Sequence, residues 1–303
     1  MRGWIVLIGA LLVLAQIGGA SARQDTPSSD TSTLSGHGYP ELRVIVTDEG
    51  ITAPATTGAG RHLVVLDNQR TESGGEGYSD LTLVLLPSGV TIDDVEQMWA
   101  QAEPVPPDWY ADAVWTGGPI ASPGETVHAV IDLQPGDWYI TVGNELSAPL
   151  TVTQPASATP QVTMEPTADV TVEMVDFAFS LPEQVPAGRS VWHATNPGSQ
   201  PHHIVFFEVP DQVPVDQVRA LLQSPAGATP SPDVPDPSTW EISDEALLAM
   251  SPGREIWWDV DLDPGIYVVV CVEVDPQSEM FHSDLGMVDF VVATDEVGAT
   301  PEA

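Results

Sequence analysis

Apolar and polar residues alternate along much of the chain with a period of two, which is typical of β-strands buried on one face. The alternation is clear in residues 170–174 and 256–262. Residues 266–271 form a continuous apolar run instead, as expected for a strand in the middle of a sheet. An Asp-Pro-Gly turn at residues 263–265 precedes this run. The pattern predicts a protein built mainly of strands.

One short helix is predicted in each half of the chain. Thr91 and Asp94 form a capping box at the start of the first helix. Apolar residues then fall on one helical side, at Ile92, Val95, Met98 and Trp99 in the first half and at Val215, Val218 and Leu222 in the second. We therefore expect an all-β fold of two antiparallel sheets packed face to face, with a short helical crossover.

The two halves share four landmarks in the same order, which indicates a tandem duplication. The landmarks are Gly-Arg at 60 and 188, a Pro-ended apolar segment at 85–87 and 208–210, Ser-Pro-Gly at 122 and 251, and Leu-x-Pro-Gly at 133 and 262. The period is about 125 residues, far longer than the repeats of solenoids or propellers. The chain is therefore predicted to contain two tandem β-sandwich domains.

Low-complexity segments suggest the domain boundaries. An uncharged apolar run that ends in Ala20-Ser21-Ala22 is typical of a cleaved signal peptide, and no later stretch has the length and apolarity to cross a bilayer. Segments rich in Pro, Ser and Thr are typical of linkers and tails. The predicted divisions are a signal peptide at 1–22, a flexible leader at 23–39, a first domain at 40–153, a linker at 154–168, a second domain at 169–293 and a flexible tail at 294–303.

The chain is strongly acidic, with 44 Asp and Glu residues against 8 basic residues and a formal net charge of -36. Nucleic acid and anionic membrane surfaces would repel such a protein. A solvated acidic shell that maintains solubility is one interpretation, and steering toward a cationic partner is the other. The acids are spread along the chain, which favours the first interpretation.

Four residues of metal-binding types stand out in the second half. His202 begins a strand pattern after a turn, and Cys271 ends another. His282 follows Cys271 after ten intervening residues, and Met287 follows His282 after four. Two imidazoles, a thiolate and a weak axial thioether are the donors of a blue copper site. Cys271 is also the single cysteine of a chain with an export signal, so a disulfide within the chain is excluded and the thiol needs another function.

The motifs around these residues resemble the cupredoxin family, to which plastocyanin belongs. They read Pro-His-x-Ile-Val-Phe from Pro201 and Gly-x-Tyr from Gly265, followed by the Cys, the second His and Met-Val. The resemblance covers residues 168–293. It implies two tandem Greek-key β-sandwich domains, the second holding one type 1 copper ion through His202, Cys271, His282 and Met287.

Two features depart from the small blue copper proteins. The resemblance makes His202 the ligand and leaves His203 where much of the family has Asn. The gap between Cys271 and His282 is longer than usual and is similar to that in the type 1 domain of copper nitrite reductases.

The first half lacks the copper ligands. Alignment through the landmarks places Ser79 opposite His202 and Val142 opposite Cys271, and residues 143–149 contain neither His nor Met. We therefore expect no type 1 copper in the first domain. The other histidines are interpreted as ordinary surface or core residues: His37, His62, His128 and His193.

The leading hypothesis is an exported protein that transfers one electron at a time, and the alternative is a copper-binding or interaction module without redox turnover. An enzyme is not expected, because a second copper centre needs more imidazoles than a chain with 7 His and no His-x-His pair offers. A cysteine hydrolase is disfavoured because Cys271 lies in an apolar run, and the Met ligand disfavours zinc. Acidic residues near the second His predict a cationic redox partner: Glu273, Asp275, Glu279 and Asp284.

Overall fold

The computed structural model describes residues 32–71, 78–100, 105–143, 146–154, 164–223, 236–237 and 240–295. The predicted signal peptide, most of the linker, and the tail beyond residue 295 lie outside the described residues. Within them, no helix has the length and apolar character needed to span a membrane.

The strands of the first half are β1 (Glu41–Thr47), β2 (Gly50–Thr52), β3 (Thr56–Gly58), β4 (Gly60–Asn68), β5 (Ser79–Leu85), β6 (Val114–Trp115), β7 (Ile120–Ala121), β8 (Thr126–Leu133), β9 (Gly136–Val142) and β10 (Leu146–Thr153). Those of the second half are β11 (Val170–Val175), β12 (Ala178–Ser180), β13 (Gln184–Pro186), β14 (Gly188–Thr195), β15 (His202–Val209), β16 (Glu241–Met250), β17 (Glu255–Leu262), β18 (Gly265–Val270), β19 (Val274–Asp275), β20 (Met280–Phe281) and β21 (Val288–Thr294). The helices are α1 (Ile92–Ala100) and α2 (Val215–Leu222), and 3-10 helices span Thr33–His37 and Asp108–Asp112. The predicted all-β fold is confirmed.

Three large sheets form the molecule. The strand order is β12-β11-β14-β17-β8-β4-β1-β2 in the first sheet, β3-β10-β9-β5-β6 with β7 beside β5 in the second, and β13-β21-β18-β15-β16 in the third. Apolar residues of the first sheet pack against those of the other two in one core, as Trp192 does against Phe206 with ring centroids 5.5 Å apart. The sheets thus pack face to face, as predicted.

The sheets differ from the expected pair of antiparallel sheets in two respects. The first sheet runs through both halves, because β8 pairs with β17. Ala129 lies opposite Trp258 in that pair, and these are corresponding positions of the two copies, so the halves meet about an approximate two-fold axis. The sheets also contain parallel strands. In the first half β3 pairs with the opposite sheet, and the next strand, β4, lies parallel to β1. In the second half β13 and β14 repeat this arrangement, with β14 parallel to β11.

The duplication extends to individual hydrogen bonds. The Asn68 amide donates to the Ala121 carbonyl at 2.8 Å, and the Asn196 amide donates to the Met250 carbonyl at 2.7 Å. Ala121 and Met250 each stand directly before a Ser-Pro-Gly landmark. The register of the inner strands also repeats. In the first half Leu81 pairs with Val142. In the second half Val205 pairs with Val270, so one residue further along the same register Ile204 lies opposite Cys271.

The segment from Ser32 to Tyr39 differs from the flexible leader expected over residues 23–39. Leu34 and Tyr39 are buried in a cluster that includes Trp257 on the outer face of the shared sheet. The Ser32 hydroxyl donates to Asp259 at 2.8 Å. The two apolar side chains give this polar segment enough buried surface to fold against the sheet.

Candidate metal centre

The predicted ligands come from two places in the second half. His202 is the first residue of β15, and Cys271 directly follows β18. Since these two strands are antiparallel neighbours, the start of one lies beside the end of the other. The gap between Cys271 and His282 contains the β19–β20 hairpin, which accounts for its length. Met287 comes just before β21.

Three of the four residues bring their donor atoms together. The Nδ1 atoms of His202 and His282 are 3.1 Å apart, and the Cys271 Sγ lies 3.8 Å from the first and 3.4 Å from the second. All three side chains are buried, with exposed fractions of 0%, 1% and 0% for His202, His282 and Cys271. Among the described residues they form the one group of three such side chains with ligand atoms within 4.8 Å of one another.

The outer nitrogen of each imidazole has an acceptor that fixes the tautomer. His202 Nε2 lies 2.8 Å from Asp176 Oδ1, and His282 Nε2 lies 3.1 Å from Gln200 Oε1. The Gln200 amide nitrogen donates to Asp275 at 3.0 Å, which orients its oxygen toward His282. Because both Nε2 atoms donate, both Nδ1 atoms present lone pairs to the same small space.

The electrostatics of the three residues favour a neutral set before metal binding. Burial lowers the pKa of His202, and burial together with the nearby His202 lowers the pKa of His282 to about 4. Burial also raises the pKa of the Cys271 thiol. The His203 peptide N–H donates to Sγ at 3.3 Å, which helps to stabilise a thiolate once a cation replaces the thiol proton.

The residues fit a single transition-metal ion. Metal–nitrogen bonds of about 2.0 Å and metal–sulfur bonds of about 2.3 Å allow one ion to reach all three atoms at the observed separations. A thiolate with two imidazoles suits copper, and the interior of the group holds no carboxylate oxygen that would favour a hard cation.

Met287 is tied to the other three residues through its backbone. Its carbonyl accepts from the Cys271 N–H at 3.2 Å, and its N–H donates to the His282 carbonyl at 2.9 Å. The side chain is buried in the same apolar core as Cys271. The structure thus places Met287 in the ligand loop and leaves its role as an axial ligand a prediction.

The surroundings of His282 contain features that the sequence did not predict. The Phe177 ring lies against the His282 ring with centroids 4.8 Å apart, and Gln200 covers its outer nitrogen. No sequence signal pointed to Asp176, Phe177 or Gln200, because their contacts with the imidazole rings of the ligands form only in the folded protein.

The acidic surface expected around His282 is smaller than the sequence suggested. Glu273 and Asp275 are buried, with exposed fractions of 8% and 6%, whereas Glu279 is exposed and Asp284 half-buried. Burial raises the pKa of Glu273, but hydrogen bonds from His203 and other neighbours more than offset this and hold that pKa below its usual value. A charged carboxylate therefore lies inside the protein, two residues after Cys271.

The first half has apolar and small polar residues at the corresponding positions. Ser79 and Val142 are fully buried at the equivalents of His202 and Cys271. The remaining histidines make ordinary contacts. His62 lies 2.7 Å from the Thr57 hydroxyl, His128 lies 3.1 Å from Asp259, His193 stacks on Trp257, and His37 stacks on Tyr39.

Comparison with solved structures finds copper proteins. The chain is similar to dithionite-reduced auracyanin from the photosynthetic bacterium Roseiflexus castenholzii, with 20% identity, 43% of this chain and 99% of that chain covered, and a TM-score of 0.25. A multicopper oxidase from Campylobacter jejuni matches at 11% identity over 87% of this chain and 65% of that chain, with a TM-score of 0.24. A copper-containing nitrite reductase from Thermus scotoductus matches at 10% identity over 84% of this chain and 61% of that chain, with a TM-score of 0.23.

No protein-family model matches the sequence, and a search of curated proteins finds no match. The His-Cys-His group, located where the resemblance predicted it, supports copper binding.

The prediction that the protein is not an enzyme is contradicted by these comparisons. Multicopper oxidases and copper nitrite reductases are enzymes, and they match more of the chain than auracyanin does.

Proposed function

We propose that the second half binds one copper ion as a type 1 centre and that the protein transfers single electrons through it. The ligands are His202, Cys271 and His282, with Met287 as the weak axial donor. One observation carries this proposal: two Nδ1 lone pairs and a cysteine sulfur converge in a buried space, with both imidazoles oriented by acceptors on their outer nitrogens. Three lone-pair donors so close together are best stabilised by a cation.

Copper bound by this donor set supplies a one-electron couple between Cu(I) and Cu(II). The residues of the chain hold the geometry on both sides of that change. Asp176 and Gln200 fix the two imidazole rings, and the His203 N–H fixes the sulfur. A buried, hydrogen-bonded ligand set has little freedom to rearrange when the charge of the site changes, which favours rapid electron transfer.

Export through a cleaved signal peptide and a cationic redox partner belong to the same proposal. The formal net charge of -36 and the exposed Glu279 near the site favour association with a positively charged partner. The association rate should fall as salt is added. A rate that is independent of ionic strength would remove the electrostatic part of the proposal.

Copper storage or a structural copper site without redox turnover is a second candidate, and the burial of His282 favours it. An exposed fraction of 1%, with Phe177 and Gln200 over the ring, leaves no open imidazole edge for a partner. Protein-film voltammetry separates the two functions. A reversible one-electron wave supports electron transfer, and a site that holds copper in one oxidation state supports storage.

The copper proposal is tested by titrating the metal-free protein with Cu(II). We expect one equivalent to give an intense blue absorption and an EPR signal with narrow copper hyperfine splitting. Both should be absent in Cys271→Ala. Val142→Ala, which truncates the corresponding buried position of the first half, is the matched control and should keep both signals. A wild-type protein that binds Cu(II) and remains colourless contradicts the proposal.

A further inference from the structure

The half that lacks copper ligands contributes a side chain beside the proposed copper site. Tyr110 belongs to the 3-10 helix Asp108–Asp112 of the first half, and its hydroxyl donates to Glu273 Oε1 at 2.9 Å. Tyr110 has an exposed fraction of 8%, so this hydrogen bond between the halves is buried. Tyr110 and Glu273 are 163 positions apart in the sequence, and Glu273 is two residues after Cys271.

The Glu273 carboxylate connects Tyr110 to the ligands. The same Oε1 atom lies 2.6 Å from His203 Nδ1, and the His203 peptide N–H donates to the Cys271 sulfur at 3.3 Å. The Glu273 carbonyl accepts from the His282 N–H at 2.7 Å. A change in the position or charge of Glu273 therefore acts on the sulfur and on the second imidazole.

The position of the Tyr110 ring is fixed independently of its hydroxyl. The ring lies against Trp115 with centroids 4.9 Å apart, and the Trp115 indole N–H donates to the Tyr110 carbonyl at 3.0 Å. Removal of the hydroxyl should thus leave the ring in place and take away one donor from Glu273. The hydroxyl is not needed to build the cluster, which leaves its bond to the carboxylate as its specific contribution.

We propose that Tyr110 is a positioning residue for the copper centre, and that its hydroxyl holds and screens the Glu273 carboxylate and so raises the reduction potential of the site. This inference rests on the proposed function. A negative charge near copper stabilises Cu(II) relative to Cu(I), and a hydrogen-bond donor weakens the field of that charge. The first half is then part of the redox centre although it provides no ligand.

The test compares the reduction potentials of copper-loaded full-length variants. Tyr110→Phe should keep the blue colour and lower the potential, because the carboxylate loses its donor. Glu273→Gln should raise the potential, because the charge is removed. In the double variant the Tyr110→Phe change should have no further effect, since the charge that the hydroxyl screens is gone. Tyr139→Phe, in the same aromatic cluster but outside this hydrogen-bonded chain, is the matched control and should leave the potential unchanged.

The outcomes distinguish this inference from the proposed function. If the wild-type protein forms no type 1 centre, the proposed function itself is wrong. If the centre forms and Tyr110→Phe leaves the potential unchanged, raises it, or still lowers it on the Glu273→Gln background, the role of Tyr110 is overturned while the copper site stands. If Glu273→Gln does not fold, the difference between Tyr110→Phe and Tyr139→Phe decides alone: a fall confined to the first variant supports the inference, and equal potentials overturn it.

Discussion

The two halves of the molecule use the same framework around very different residues. Ser79 and Val142 in the first half, and His202 and Cys271 in the second, occupy equivalent positions on paired inner strands, and all four are fully buried. The first half shows that this framework folds with a small hydroxyl and an aliphatic side chain at these positions. The ligand set is thus an addition to a fold that does not require it.

A pair of equivalent turns sharpens the comparison. In the first half Asp48 accepts from the Thr71 hydroxyl at 2.7 Å and from its N–H at 3.1 Å. In the second half Asp176 accepts from the Ser199 N–H at 2.9 Å and from its hydroxyl, and it also accepts from His202. The carboxylate has kept its role in the turn and gained one in orienting an imidazole.

The largest expected effect comes from giving the second half the residue of the first. Cys271→Val should abolish the blue absorption while changing the free energy of unfolding of the copper-free protein by less than about 1.5 kcal/mol, as for a buried substitution of similar volume. Absorption spectra and urea unfolding measure the two quantities. The reverse change, Val142→Cys, should create no colour, because residues 143–149 offer no imidazole. Blue colour in Cys271→Val would exclude this thiol as the ligand.

The next effect distinguishes residues that stabilise the fold from residues that also act on the copper site. Leu81 and Ile204 are equivalent core residues, both with an exposed fraction of 0%. Truncation of either to Ala should lower the free energy of unfolding by about 2–5 kcal/mol, since each leaves a cavity. Only Ile204→Ala should also alter the copper spectrum, because Ile204 lies two residues after His202 in the same strand. Equal spectral changes in the two variants would mean that the first half is coupled to the site through its whole core.

A smaller effect is expected from the carboxylates of the two turns. Asp176→Ala removes the acceptor that orients His202 and should weaken copper binding by about 10- to 100-fold, as is usual for partners of metal-bound histidines. Asp48→Ala breaks the equivalent turn and should leave copper affinity unchanged. Competition titrations with a chelator give both affinities. Equal losses in the two variants would assign the effect to turn stability rather than to the imidazole.

The smallest effect concerns the outer face of the sheet that both halves share. Ser32→Ala removes the hydroxyl that caps the first 3-10 helix and donates to the buried Asp259. Stability should fall by about 1 kcal/mol, with no change in the copper spectrum. Thr33→Ala, at the neighbouring exposed position, is the control. A loss of copper binding in Ser32→Ala would mean that the shared sheet acts on the site.

The strand pattern predicted an all-β fold, and four landmarks shared by the two halves indicated the duplication. The donor types together with the resemblance to cupredoxins indicated that His202, Cys271 and His282 would meet. Strand periodicity specifies which face is buried and not which strand is the neighbour, so the β8–β17 pairing and the parallel outer strands were not predicted. The packing of residues 32–39 was missed because two apolar residues, Leu34 and Tyr39, lie in a polar segment.

The parts of the site that were missed are those supplied from a distance. Asp176 lies 26 positions from its hydrogen-bond partner His202, Gln200 lies 82 positions from His282, and Tyr110 lies 163 positions from Glu273. Nothing in their local sequence marks them. Only the closure of the sheets, and of one half against the other, brings them to the centre.

Copper K-edge X-ray absorption of the reconstituted protein tests the central claim most directly. We expect one sulfur neighbour at a short covalent distance and two imidazole nitrogens, with the sulfur scattering lost in Cys271→Val and kept in Val142→Ala. A first coordination sphere of nitrogen and oxygen alone in the wild-type protein would contradict it.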